Sequence, residues 1–361
     1  MSASTVLLIT PPFTQLNTQY PATAYLKGVL NTKNITSFQC DLGIEVTLSI
    51  FSKEGLQKVF QHIQQHKSNQ IISANAQRML QLKDDYIHTI DAVIQFLQGK
   101  NPTLAHFIGK RNYLPEAYRF KQLDDLNWAF GSMGNQDKAK HLATMYLEDL
   151  SDLIAECVDP HFGFSRYAEK LGRSANSFDE LYHALQQPFT HVDAILIEKL
   201  KEKMQLVQPR LVALSVPFPG NLYASLRCGE FIKKNYPNTK VAMGGGFANT
   251  ELRSLKDKRV FEFYDFITLD DGEAPIENLI EFVQGNIGVD GLKRTFLLHE
   301  NEVVYKNATQ VKDYKQGAVG TPDYSDFLLD QYVSAIEVVN PMHSLWSDGR
   351  WNKLTMAHGC Y

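Results

Sequence analysis

The sequence has little that would direct the chain out of the cell or into a membrane. No apolar run among its 361 residues approaches the roughly 20 that a membrane-spanning helix requires. The first residues, MSASTVLLIT, lack the basic start and small-residue cleavage site of a secretory signal. Its four cysteines, Cys40, Cys157, Cys228 and Cys360, lie far apart, which favours reduced thiols over a disulfide framework. We therefore expect a cytoplasmic protein with no membrane contact.

The sequence also lacks a strong excess of charge of either sign. Lys and Arg number 36 against 40 Asp and Glu, and the net charge is −4. The basic residues are scattered among acidic ones, so nothing predicts a nucleic-acid-binding surface. The 44% apolar fraction is that of a globular protein, and the length favours more than one structural unit. We expect the partner to be a small-molecule substrate.

What the sequence does have is an alternation of short apolar runs with helical periods. A β-rich run at Val6 to Thr10 ends at Pro11-Pro12, and a helical stretch and a second strand, at 35–40, follow. The alternation resumes after Pro209, with strands at 211–216, 240–243 and 266–269 and helices at 223–235 and 275–282. This order predicts an α/β fold, Rossmann- or flavodoxin-like, with a doubly wound parallel five-stranded sheet.

The rest of the chain divides around this α/β pattern. Between its halves, apolar residues recur at helical spacing, which predicts a mainly helical insertion or cap. The second half is followed by a predicted hairpin at 295–306, turning at His299 to Glu302, and by a linker rich in Pro, Gly and aromatics. The predicted boundaries are 1–53 and 208–290 for the α/β domain, 54–207 for the insertion, 291–352 for hairpin and linker, and 353–361 for the start of a further domain.

Glycines and prolines follow all five predicted strands. In an open parallel sheet, ligands bind at the carboxyl ends of the strands, near the point where strand order reverses. Glycine lets the backbone approach a flat ligand closely because no Cβ intervenes. The five loops to be expected at that edge are Pro11 to Thr14, Asp41 to Ile44, Ser215 to Asn221, Gly244 to Phe247 and Asp270 to Glu273.

This arrangement resembles the cobalamin-binding domain at the N-terminus of many radical-SAM proteins. The matching features are a serine after the third strand, a glycine pair after the fourth and a Gly-Glu turn after the fifth. The resemblance implies a slot for the nucleotide tail of cobalamin, with the corrin across the rim. Tail-slot candidates are Ser215, Gly244, Gly245 and Gly246, and weaker corrin-facing candidates are Pro11, Pro12, Asp41, Leu42, Gly43 and Phe218.

The chain departs from one form of that family at Gly43. Methionine-synthase-like domains carry Asp-x-His-x-x-Gly, and the histidine binds cobalt. Here the segment is Asp41-Leu42-Gly43, and glycine offers no side-chain donor to a metal. The resemblance therefore implies cobalamin without a protein histidine ligand, or a domain that has kept the fold and lost the cofactor.

The last residues, His358-Gly359-Cys360-Tyr361 after a possible strand at Lys353 to Met356, resemble the start of the Cys-x-x-x-Cys-x-x-Cys loop of radical-SAM barrels. In that family three thiolates hold a [4Fe–4S] cluster, and the fourth iron binds S-adenosylmethionine. Only Cys360 is present, so the resemblance implies a chain truncated at the first cysteine and unable to perform radical chemistry by itself. The full-length protein is expected to be an enzyme for methyl transfer or related radical chemistry on a small molecule.

Two alternatives to a cobalamin-binding domain stay open. The domain could be a degenerate scaffold that selects substrate or binds another protein, which the missing histidine favours. A flavodoxin-like mononucleotide binder is disfavoured because the loop Pro11 to Thr14 lacks the Ser/Thr-rich phosphate cradle of such sites.

Overall fold

A computed structural model describes residues 5–66, 72–122, 130, 134–164, 166–173 and 178–335. The chain forms two compact units. The sheet unit comprises Met1–Thr14, Tyr20–Val46 and Arg166–Phe327, and the helical unit comprises Gln15–Gln19, Thr47–Ser165 and Leu328–Tyr361. The possible final strand and Cys360, both predicted from the sequence, lie outside the described residues.

The sheet unit is built on seven strands, and the predicted α/β class is confirmed. In chain order the strands are β1 Val6–Thr10, β2 Ser37–Asp41, β3 Leu211–Ser215, β4 Lys240–Gly244, β5 Phe266–Thr268, β6 Thr295–His299 and β7 Glu302–Lys306. Their spatial order is β2-β1-β3-β4-β5-β6-β7. The first five are parallel, and β6 and β7 are antiparallel. The sheet has seven strands rather than the predicted five because the predicted hairpin pairs with β5.

The described helices are listed here in chain order. They are α1 Ala22–Thr32, α2 Leu42–Ile50, α3 Lys53–His66, α4 Ala74–Gln81, α5 Lys83–Leu97, α6 Ala105–Gly109, α7 Asn135–Cys157, α8 Glu169–Arg173, α9 Asp179–Leu185, α10 His191–Val207, α11 Leu222–Asn235, α12 Gly246–Glu251 and α13 Glu273–Val283. None of them combines the length and the apolar character that crossing a lipid bilayer demands.

One face of the sheet packs on α1 and α13. Side chains alternate between the two faces along a strand, so every second residue belongs to the same face. The core on this face contains Val6 and Leu8 from β1, with Leu211, Ala242, Phe266 and Leu297 from the other strands and Leu30, Ile276, Leu279 and Ile280 from the two helices. This alternation determines which strand-terminal side chains reach the same face at the carboxyl edge.

The predicted insertion at 54–207 is mainly helical in the described residues. Its part from Arg166 onward, which includes α8, α9 and α10, groups with the sheet unit. In the helical unit, α7 is the longest helix, and its Tyr146 ring stacks on Tyr86 of α5 with centroids 5.1 Å apart. Both rings are almost fully buried, so they form part of the core of this unit.

Candidate functional site

The five predicted loops lie at one edge of the sheet. Strands β2, β1, β3, β4 and β5 run parallel, so their carboxyl ends share one edge. Strand order reverses between β1 and β3, since the chain passes from the outer pair β1–β2 back to the other side of β1. In open α/β sheets the crevice at such a reversal is where ligands bind. The parallel strands and common edge on which the sequence-based site depends are therefore present.

The last residues of the five parallel strands form one row across this edge. The row runs Asp41, Thr10, Ser215, Gly244, Thr268, and we call it the terminal row. Thr10 is the register partner of Asp41, and Ser215 is the partner of Gly244. Ile9 pairs with Leu214, so Thr10 lies beside Ser215. Met243 pairs with Ile267, so Gly244 lies beside Thr268. Every member is a polar residue or a glycine, although β1 and β3 are otherwise entirely apolar.

The terminal row belongs to the sheet face that α1 and α13 cover. Two positions before every member except Asp41 lies a residue of that core or one packed against it, for example Leu8 before Thr10 and Phe266 before Thr268. Gln39, two positions before Asp41, is the register partner of Leu8. Because the strand period is two, the row extends that face to the carboxyl edge. The hydroxyl groups therefore lie where the apolar core of this face ends.

Two hydroxyls near the edge are buried without a hydrogen bond. Thr10 Oγ1 and Thr23 Oγ1, the latter in the first turn of α1, have no partner among the described residues, and both side chains are fully buried. Buried polar atoms in native proteins are nearly always paired with protein, water or ligand. Ser215 is 6% exposed, whereas Gly244 and Thr268 are partly exposed. The row is thus accessible at β4 and β5 and closed at β1.

The glycine triplet has two different structural roles. A Cβ on Gly244 would lie 2.8 Å from Thr268 Oγ1, so this glycine leaves a gap in the terminal row next to a hydroxyl. Gly245 has a φ of +106°, and a Cβ there would lie 2.7 Å from the Val216 carbonyl oxygen. A Cβ on Gly246 would lie 2.7 Å from the Pro217 carbonyl oxygen. Close packing of two loops thus accounts for Gly245 and Gly246 without a ligand.

Asp41 caps the helix that follows it. Its Oδ1 accepts hydrogen bonds from the main-chain N–H groups of Gly43 at 2.9 Å and Ile44 at 3.3 Å. A Cβ on Gly43 would approach the same oxygen to 3.0 Å. Pro11, Pro12, Asp41, Leu42 and Gly43 are all buried. These five candidates are therefore buried residues at the carboxyl edge of the sheet.

Phe218 is the exposed member of the corrin-facing candidates. Its side chain is 53% exposed, and its ring meets the ring of Tyr20 edge to face with centroids 5.8 Å apart. Burial raises the pKa of the Tyr20 hydroxyl, which keeps it neutral. The exposed Phe218 ring thus offers a ligand an apolar surface.

Asn221 ties two of the loops together. Its Nδ2 donates to the Pro11 carbonyl at 2.8 Å and to the Phe13 carbonyl at 3.0 Å. Because two carbonyl acceptors fix the amide, Oδ1 faces the other way, and it is buried with no hydrogen-bond partner within the described ranges. Asn221 thus holds the loop after β1 against the loop after β3, on the two sides of the strand-order reversal.

The charged groups beside β5 are already paired. Arg253 donates to Asp270, whose main-chain N–H donates to Asn249 Oδ1 at 2.5 Å. Arg294 donates to Asp313 and, at 2.7 Å, to the Asp271 carbonyl. This part of the edge therefore presents neutralised charges rather than a free cation.

The described residues contain no cluster of three His, Cys, Asp or Glu side chains that could hold a metal ion. Cys360, the predicted cluster ligand, lies outside them. Reasoning from sequence missed Thr10, Thr23 and Thr268, because it considered the loops after the strands. Asn221 lies in one of those loops, but the sequence gave it no role of its own. A hydroxyl residue ending an apolar strand is the signal that would have found Thr10 and Thr268.

Comparison of the chain with protein-family models, curated proteins and solved structures finds no match. The site is therefore defined by its own geometry. It consists of a polar row with a gap at Gly244, buried hydroxyls beside the strand-order reversal, and the exposed Phe218 ring next to the half-buried Tyr20.

Proposed function

We propose that the sheet unit is a cobalamin-binding domain of a radical-SAM protein. The observation that carries the proposal is the terminal row, which crosses the reversal of strand order with three hydroxyl residues and a glycine gap. The parallel strands, taken in sequence order, are arranged 2-1-3-4-5, the order of flavodoxin-like doubly wound sheets, whose ligands bind at the reversal. Such an edge suits a flat cofactor that carries a hydrogen-bonding tail.

The residues present fit such a group. Ser215 and Thr268 would hold the tail on either side of the Gly244 gap, and Thr10 and Thr23 supply buried hydroxyls that have no partner among the described residues. Phe218 would contact the corrin, since it is the exposed apolar candidate at the rim. Gly43 leaves cobalt without a histidine ligand from this loop. Bound cobalamin would supply a cobalt centre able to carry a methyl group, and the chain's own part is to bind, orient and shield it.

The radical-SAM part of the proposal depends on Cys360 and its sequence context. We propose that the full-length protein holds a [4Fe–4S] cluster and S-adenosylmethionine and acts on a small molecule by methyl transfer or related radical chemistry. The coding sequence after Tyr361 tests this directly. Two cysteines at the fourth and seventh positions after Cys360 are expected, and a continuation without them would contradict the assignment.

Cobalamin binding is tested with the purified chain. Hydroxocobalamin is added at increasing protein concentration, bound cofactor is separated by equilibrium dialysis, and its visible spectrum is recorded. We expect saturable 1:1 binding. The control is Gly244→Val, whose added side chain would meet the Thr268 hydroxyl and fill the gap. Retained circular dichroism with lost binding in the variant supports the site, and a wild-type chain that binds nothing overturns the proposal.

A degenerate scaffold is the second candidate. Loop packing alone explains Gly245 and Gly246, and Gly43 is accounted for by the close approach to the Asp41 cap. A domain that had lost its cofactor would keep these contacts. This candidate predicts a stably folded chain with no affinity for hydroxocobalamin, the reverse of the first result.

A further inference from the structure

We propose that the outer edge of β7 binds a second copy of this chain, so that the two sheets join antiparallel into one continuous sheet. The inference concerns the assembly of the protein and is independent of cobalamin binding. It is carried by main-chain groups of β7 that point away from the sheet, and by charges that become complementary when the strand meets its own copy.

The hairpin of β6 and β7 determines which main-chain groups of β7 point outward. Its turn has two residues, Glu300 and Asn301, both with positive φ, so the pair of residues that flanks the turn is hydrogen-bonded. Hydrogen-bonded and non-hydrogen-bonded pairs alternate along an antiparallel ladder, so Val303 and Tyr305 direct their N–H and C=O groups away from β6. No hydrogen bond to these four groups is found among the described residues.

The opposite edge of the sheet is covered by the chain itself. Along β2, the main-chain N–H of Gln39 donates to Asp326 Oδ2 at 3.0 Å, and the Gln39 side chain donates to the Asp323 carbonyl at 2.5 Å. Native proteins usually cover an edge strand, or interrupt it with a proline, a bulge or a charge. Within the described ranges β7 pairs with β6 without a bulge, and its centre, residues 303–305, is Val-Val-Tyr. Such an edge is suited to pairing with another strand.

A second copy of β7 satisfies the outward groups in one register. When two copies run antiparallel about Val304, Val303 of each copy lies opposite Tyr305 of the other. Both residues have outward main-chain groups, so each facing pair exchanges two hydrogen bonds. The four outward groups of each copy are then all paired.

Charge complementarity favours a second copy of β7 over an unrelated strand. In the same register, Glu302 of each copy lies opposite Lys306 of the other. Opposite charges at facing positions stabilise a strand pair, and like charges destabilise it. Glu302 is exposed, and Lys306 pairs with Asp290, whose side chain is 93% exposed. An ion pair so exposed is weak, so it leaves Lys306 able to meet a second carboxylate.

Two exposed apolar side chains lie beside the same edge. Leu298 is 41% exposed and Tyr305 is 43% exposed. Leu297 and Val304 belong to the face that packs on α1 and α13, so Leu298 and Tyr305 lie on the other face. In the joined sheet Tyr305 would lie against Val303 of the second copy, and burial of this apolar surface adds to the hydrogen bonds.

The test is sedimentation of the whole chain, without cobalamin, between about 1 and 100 µM. We expect a reversible monomer–dimer equilibrium with a Kd of about 10 µM, because the contact is short. Glu302→Lys and Lys306→Glu each place like charges opposite one another at two positions of the dimer, and each should raise the Kd about 10-fold. The double variant restores both pairs, so its Kd should return to within about 3-fold of wild type.

Val303→Pro is a further variant, because it removes one outward N–H and leaves the hydrogen bonds to β6 intact. It should abolish the dimer while its circular dichroism stays that of wild type. A wild-type chain that is still monomeric at about 100 µM overturns the proposal and leaves the edge to an extended segment of another protein. A dimer that the single charge variants do not weaken, or that the double variant does not restore, also overturns it, because the copies then pair through another surface.

Discussion

Arg227 of α11 donates its Nε–H to the carboxylate of Asp193 in α10 at 3.1 Å, and both side chains are almost completely buried. Tyr223 donates to the same carboxylate oxygen at 3.0 Å. The remaining guanidinium nitrogens reach main-chain carbonyls of residues 184–187, beginning with Leu185 at 2.7 Å. One buried cation therefore joins three helical segments of the sheet unit.

Removal of this cation is expected to be costly, because it leaves the buried Asp193 carboxylate without its counter-charge, although Tyr223 and the Thr190 N–H still donate to it. Arg227→Ala should lower the free energy of unfolding of the sheet unit by about 3–5 kcal/mol. Urea unfolding followed by circular dichroism measures the change. The control is Glu230→Gln, which removes a 36%-exposed carboxylate partner of the same guanidinium and should cost less than about 1 kcal/mol. Equal effects of the two variants would contradict this account.

Ala substitutions at three glycines distinguish the effect of backbone strain from that of steric clash. Gly245 has a positive φ and a Val216 carbonyl oxygen in the way of a Cβ, Gly285 has a φ of +81° and open space, and Gly288 has a negative φ and open space. Substitution by Ala should therefore lower the free energy of unfolding most at position 245 and by about 1–2 kcal/mol at position 285. At position 288 it should raise the free energy of unfolding slightly. Thermal unfolding of the three variants gives the order, and a cost at 288 as large as at 285 would refute the argument.

Asp149 of α7 makes the helical unit sensitive to pH. Burial raises the pKa of its carboxyl group to about 7, although Arg119, 3.8 Å away, favours the charged form. The unfolded chain releases this proton near pH 3.9, so between that value and about pH 7 only the folded state keeps it. Stability that is fully present below about pH 3.9 is thus lost progressively as pH rises from there, and the loss is complete above about pH 7.

The variant Asp149→Asn should make the stability of the helical unit less dependent on pH between about pH 4 and pH 7. At pH 8 it is expected to be more stable than wild type by on the order of 2 kcal/mol, because no charge has to be buried. Unfolding midpoints between pH 5 and pH 8 measure it. Glu148→Gln, on the partly exposed neighbour that also pairs with Arg119, is the control and should keep the wild-type slope. An unchanged slope in Asp149→Asn would show that another group titrates.

Asn221 offers a test of loop positioning. In Asn221→Ala the Pro11 and Phe13 carbonyls lose their donor, and the chain should lose about 1–3 kcal/mol of stability. In Asn221→Asp the carboxylate faces two carbonyl oxygens, so a loss at least as large is expected at neutral pH. Hydrogen exchange of amides in residues 13–16 should accelerate in both variants, and unchanged exchange would contradict the role of Asn221 as a tie between the loops.

Strands and helices could largely be predicted from the sequence because proline and glycine mark their ends. The first strand was predicted at Val6 to Thr10 and is found there, bounded by Pro11. The hairpin was predicted with its turn at His299 to Glu302, and the structure turns at Glu300 and Asn301, both with positive φ. These features depend on local chemistry, which one sequence contains.

The terminal row and the buried ion pair could not be predicted in the same way. That Thr268 lies beside Gly244 depends on the spatial order of strands far apart in sequence. Arg227 reads as a solvent-facing residue in a helical period, and only the packing of α9 and α10 around it shows that it is buried. Predicting contacts of this kind requires the spatial order of strands and helices, and the periodicity of the sequence does not give that order.

The position of β1 between β2 and β3 also has a consequence for synthesis on the ribosome. β1 and β2 are complete by residue 41, but the third strand, which pairs with β1, begins only at Leu211. The growing chain therefore carries the mostly apolar β1 with an open edge while residues 47–164 are made. Long-range pairing of this kind slows folding and leaves nascent chains prone to aggregate. Chains released before β3 has emerged should therefore depend on chaperones, and those released after β4 should not.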